Sequence, residues 1–193
     1  MFFATRDWKT ISVLTLTAAL GLSAQAQARD FSISLTDDSA RVQVNTTDPQ
    51  AELAFGAGYT YRSGGMNIVN LGFHAQGWTA LGSLPATVGL GAKPVYFRSS
   101  GFAGGGVGLG GYGSLGIPEV PGLSFNIEGH YAPSILSFGD AEDLWSVSTS
   151  LNYRVIPNAE FFGGYRYVGV DVDGRSGRAR LDEGLMAGLR IIF

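Results

Sequence analysis

From Trp145 to Val155 the chain changes character at almost every residue. Trp145, Val147, Leu151, Tyr153 and Val155 fall on one parity, and Ser146, Ser148, Ser150, Asn152 and Arg154 on the other. A period of two belongs to an extended strand whose two faces meet different surroundings. The pattern returns along the chain. Leu123, Phe125, Ile127 and Tyr131 alternate with Ser124, Asn126, Glu128 and His130. Leu53, Phe55, Ala57, Tyr59 and Tyr61 oppose Glu52, Gly56, Gly58 and Thr60, and Val69, Leu71 and Phe73 oppose Asn70, Gly72, His74 and Gln76. The last segment sets Leu181, Leu185, Ala187, Leu189, Ile191 and Phe193 against Asp182, Gly184, Gly188 and Arg190. Segments 86–98 and 159–172 read as strands with less regular faces.

A soluble sandwich buries the apolar face of such strands, whereas an outer-membrane barrel turns it to lipid and the polar face to the lumen. Strand length favours the barrel, because about 9 to 11 residues span a bilayer. Aromatic residues near segment ends suit an interfacial girdle: Tyr59, Tyr61, Trp78, Tyr96, Phe97, Tyr112, Tyr131, Trp145, Tyr153, Tyr165 and Tyr167. Counted back from a periplasmic C-terminus, connectors 133–142 and 173–180 fall outside and are long. Those at 80–85, 117–122 and 156–158 fall on the periplasmic side and are short or proline-rich. Residues 51–193 hold eight spanning strands, and 31–45 reads as one further hairpin turning at Asp37-Asp38. The expected fold is an all-β, transmembrane, antiparallel up-and-down barrel of 8 to 10 strands, with ten preferred, closed by its first and last strands.

The N-terminus supplies the export route. Arg6 and Lys9 precede the apolar run 11–22, and Ala26-Gln27-Ala28 is a small-x-small cleavage signal. Residues 1–28 are read as a signal peptide and 29–193 as the barrel. No other stretch reaches the roughly 18 uninterrupted apolar residues of a transmembrane helix. The chain has no cysteine, which excludes disulfides and thiolate metal sites. After removal of 1–28, eleven basic and fifteen acidic residues remain, with no basic stripe suited to nucleic acid.

Glycine is 29 of 193 residues, and "GGGVGLGGYGSLG" at 104–116 contains a G-x-G-x-x-G match, Gly108 to Gly113. A phosphate loop continues into a helix, but "SLGIPEVPG" follows here, with two prolines and no helical period. In steps of two, Val107, Leu109, Leu115 and Ile117 share one face, and Gly104, Gly106, Gly108 and Gly110 the other. The run is a strand whose lumen face lacks side chains, suited to the close approach of long side chains from across the barrel.

The polar faces gather Glu52, Lys93, Glu128, Arg154, Glu160, Arg166, Asp182 and Arg190, together with His74, His130 and Asn152. Charges inside a narrow barrel must pair to offset desolvation. This cluster is therefore read as an ion-pair plug or a constriction. The expected function is a structural or porin-like barrel with a charge-filled lumen and no catalytic residue, metal or cofactor. One alternative is a lipid-modifying enzyme, with His130 near the extracellular end beside Ser134, Ser137 and Asp140, and His74 too deep to join it. Another is a surface-binding barrel acting through loops 133–142 and 173–180, where Arg175, Arg178 and Arg180 can touch anionic lipopolysaccharide. A soluble periplasmic β-protein is the structural rival. Expected partners are outer-membrane lipid, lipopolysaccharide and the barrel-assembly machinery, the last through the strand ending in Phe193; no nucleic acid is expected.

"YAPSILSFGDAEDLW" (131–145), "EFFGGYRYVGVD" (160–171) and the Phe-terminated last strand resemble the YfaZ family of outer-membrane proteins. The similarity runs from "FSISLTDDSARVQV" to Phe193. It implies a small outer-membrane barrel, sometimes described as porin-like, and brings no substrate, catalytic residue or cofactor with it.

Overall fold

The computed structural model describes residues 29–46, 50–172 and 177–193. The signal segment 1–28 and the 173–176 part of the expected outer loop lie outside these. The strands are β1 (Arg29–Leu35), β2 (Ser39–Thr46), β3 (Leu53–Arg62), β4 (Met66–Leu81), β5 (Leu84–Arg98), β6 (Ala103–Gly116), β7 (Leu123–Ala132), a short β8 (Ser137–Gly139), β9 (Ala141–Ile156), β10 (Ala159–Val172) and β11 (Arg178–Ile192). Each long strand pairs antiparallel with its neighbours in sequence, and β5 pairs β6 to complete the ring. β1 meets β11 in the register Phe31↔Ile191 to Leu35↔Ala187. Arg29 and Phe193 exchange both backbone hydrogen bonds at 2.9 Å. The result is a closed ten-strand barrel, in which β8 only extends the wall by pairing with the top of β6. Closure leaves no unpaired strand edge, which a bilayer requires.

The glycine-rich segment is strand β6 throughout, paired with β5 from Ala103 to Leu115. Outward parity carries the apolar band. Ile33, Val44, Phe55, Leu71, Phe73, Leu90, Leu109, Ile127, Leu151, Phe161, Leu185 and Ile191 are all exposed, inverting the arrangement of a soluble domain.

Three expectations change. First, the connectors show little of the expected asymmetry. Residues 82–83 and 157–158 are short turns on the side of the termini, but 36–38 and 63–65 on the other side are short as well. β11 already begins at Arg178, so Arg178 and Arg180 lie on a strand. Second, part of the expected girdle faces inward: Phe97 is wholly buried, and Tyr112 and Trp78 line the interior. Third, Leu181 turns inward. Val168 pairs Asp182 while Gly169 pairs Arg180, so Leu181 is the extra residue of a β-bulge. The bulge shifts the parity, and Leu181 and Asp182 are both buried.

The interior has two halves. At the end away from the termini, Met66, Ile68, Val95, Phe97, Ala132, Leu144, Val168, Val170, Val172 and Leu181 form one buried apolar cluster, with Phe102 packed against it. The Phe97 and Phe102 rings are 5.6 Å apart. This cluster occupies the loop end of the interior. Toward the termini the interior is polar and hollow.

Candidate functional site

Beneath the apolar cluster lies a layer of buried polar side chains. Arg166 on β10 donates from Nε to Asp182 Oδ2 at 2.5 Å, from Nη1 to Ser34 Oγ at 3.1 Å and from Nη2 to Ser39 Oγ at 3.2 Å. Ser39 Oγ donates in turn to Asp182 Oδ1 at 2.7 Å. Both ion-pair side chains are at most 2% exposed, and the group ties β10 and β11 to β1 and β2. On the opposite wall, Lys93 Nζ donates to Glu128 Oε1 at 2.5 Å. A charge taken out of water is tolerated where it is paired and hydrogen-bonded, and both pairs meet that condition.

His74 and His130 also belong to this layer. Their Nε2 atoms are 2.8 Å apart, so one ring donates and the other accepts. His130 Nδ1 lies 3.4 Å from Glu128 Oε1. The depth difference expected between the two histidines is wrong, because strand register sets the height. His74 pairs with Gly91, Gly91 with Gly110, and Gly110 with His130, so all four residues lie in one row across β4 to β7. The two intervening glycines carry no side chain, and the rings meet across the gap. The grouping of His130 with Ser134, Ser137 and Asp140 is absent too. Ser137 Oγ donates to Pro133 O, and Asp140 Oδ2 accepts from Ala103 N.

A cavity of about 480 Å³ fills the interior between this layer and the terminal end. Trp78, Pro85, Gly116, Ser124 and Arg154 stand at its mouth, and Arg41, Asn70, Lys93, Glu128 and Arg166 at its floor. On its lower wall Glu160 Oε1 accepts from Asn152 Nδ2 at 2.9 Å and from Arg190 Nη1 at 2.7 Å. Arg154 reaches Glu160 at 3.9 Å and remains half exposed. Asp30 is buried, accepts from Asn45 Nδ2 at 2.9 Å and lies 3.7 Å from Arg190 Nε.

Of the charged residues expected in the lumen, Lys93, Glu128, Arg154, Glu160, Arg166 and Arg190 line this cavity, as does His74, while Asp182 and His130 sit in the layer above or beside it. Glu52 does not belong. It is exposed in the bend before Leu53, because the alternation was extended one residue past the start of β3. Arg41 and Asp30 were missed. Arg41, Gln43 and Asn45 alternate with Val42 and Val44, the same signal that located the other lumen residues.

A closed barrel with apolar side chains outside and charges inside is an outer-membrane β-barrel of porin-like build, and the outer membrane is its location. The family profile described as YfaZ precursor matches residues 8–193, and the chain belongs to that family. Among solved structures it is similar to the KdgM porin at 8% identity, over 86% of this chain and 99% of that one, with a TM-score of 0.44. It is also similar to Neisserial surface protein A at 17% identity (86% and 94% covered, TM-score 0.39) and to Omp33 of Acinetobacter baumannii at 10% identity (86% and 98% covered, TM-score 0.32). No curated protein matches the chain.

Proposed function

We propose that this protein is a non-enzymatic outer-membrane barrel whose lumen is a polar cup, open toward the periplasm and shut toward the outside. The observation that carries this reading is the division of the interior: an apolar cluster around Phe97 and Leu144 at the loop end, and a cavity of about 480 Å³ at the terminal end. An apolar core at interior packing density admits no water, so ions have no wetted path past it. Below it, the Arg166–Asp182 and Lys93–Glu128 pairs narrow the lumen further. The termini and the tight turns at 82–83 and 157–158 share the cavity's end, which suits the periplasmic side. The expected partners fit the same orientation. Phe193 ends the closing strand at the periplasmic rim, where assembly machinery acts. Arg178 stacks over Trp145 at 5.5 Å near the outer rim, where lipopolysaccharide head groups lie.

The absence of native cysteine makes single-cysteine labelling a clean test. Ser124→Cys at the cavity mouth is expected to react with a polymer-linked maleimide only after the outer membrane is permeabilised, and Ser100→Cys in the loop-end turn is expected to react in intact cells. Labelling of Ser124→Cys in intact cells would overturn the orientation.

A further inference from the structure

The charges facing the lumen pair off with one exception. Lys93 is matched to Glu128 and Arg166 to Asp182, while Arg190 and Arg154 share Glu160 and Asp30. Arg41 lies at the cavity floor, and among the described residues no carboxylate stands within ion-pair distance of it. Its Nη2 meets only neutral amide oxygens, Gln43 Oε1 and, at 3.4 Å, Asn70 Oδ1. Its Nε is buried with no partner at all. The guanidinium is a planar cation of the kind that carboxylates and phosphates match, and lining the cavity without an ion-pair partner it leaves a positive charge there that an anion would balance.

The surroundings fit a ligand larger than a bare ion. Across the cavity from Arg41 the wall carries Ser148, Ser150, Asn126 and Ser114, all neutral donors and acceptors. About 480 Å³ falls within the usual range for small-molecule sites, roughly 300–1,000 Å³.

We infer that the cup binds a small hydroxylated anion, its carboxylate or phosphate on Arg41 and its hydroxyls against the serine and asparagine wall. This rests on the cup reading for the route of entry, but not for the binding itself, which detergent-solubilised protein reports regardless of sidedness. A failure of binding and a failure of orientation are therefore separable.

The test is calorimetric titration of the protein purified from membranes in detergent, with D-glucuronate, glucose 6-phosphate and neutral D-glucose as probes. At least one anionic probe is expected to bind saturably while glucose does not, and the tighter of the two identifies the head group. Arg41→Gln should weaken binding at least tenfold, Arg41→Lys, which keeps the charge but not the planar donor geometry, should recover only part of it, and Arg98→Gln on the outer wall should change nothing. Each variant is first shown to keep the heat-modifiable migration of a folded barrel. Equal binding of glucose, undiminished binding by Arg41→Gln, or no binding of either anion would overturn the proposal.

Discussion

Asp182→Ala is expected to destabilise the barrel by about 3–5 kcal/mol, the range for removing one partner of a buried ion pair. The change leaves the Arg166 guanidinium, itself 2% exposed, with two serine hydroxyls as its remaining oxygen acceptors. The double variant Arg166→Met with Asp182→Leu should recover most of that loss, because an apolar pair of similar volume carries no desolvation cost. Ser39 then keeps a partner in Thr36 Oγ1 at 2.7 Å. Denaturant unfolding in detergent micelles measures both. If the single and double variants were equally unstable, the layer would be held by packing and not by the ion pair.

A comparable loss is expected from a single methyl group on the histidine row. A Cβ at Gly110 would stand 2.0 Å from Gly129 O and 2.8 Å from His130 Cα, and one at Gly91 would stand 2.0 Å from Phe73 O. These obstacles are backbone of the neighbouring strand and cannot swing aside. Gly110→Ala or Gly91→Ala should therefore part a seam of the wall, at a cost above the roughly 1–3 kcal/mol typical of overpacking. Gly129→Ala is the control, since a Cβ there meets nothing within 4 Å. The heat-modifiable fraction after refolding should fall for the first two and hold for the third. Equal tolerance at all three positions would show that the strands close on one another less tightly than the register implies.

These two predictions rest on features that were unequally visible in the amino-acid order. Which side of a strand faces lipid follows from parity alone, so the lumen positions of Lys93, Glu128, Glu160, Arg166 and Arg190 could be read directly. Arg41 was equally readable, on the second strand of the hairpin that brings the count to ten, but its parity was not followed there. Heights were not readable, because they depend on the stagger between strands. That is why His74 and His130, 56 residues apart, touch where they were expected to lie at different depths. The apolar closure was hidden for another reason. Near the loop end both parities are apolar, as in Val95-Tyr96-Phe97 and Val168-Gly169-Val170, and a strand without alternation does not declare which face is inside. The bulge at Leu181 leaves no local signature at all. The polar faces expected along the whole interior thus line only the part toward the termini, and the buried apolar cluster beyond it is made of side chains that read as lipid-facing.

The seal is the centre of the functional account, and planar-bilayer recording of the purified protein tests it most directly. The protein is expected to insert and to show no discrete conductance steps at moderate voltage, because the cluster around Phe97 and Leu144 leaves no wetted path. Unitary steps in the unsubstituted protein, altered in size when Lys93 or Arg166 is neutralised, would contradict it and make the barrel a conducting pore.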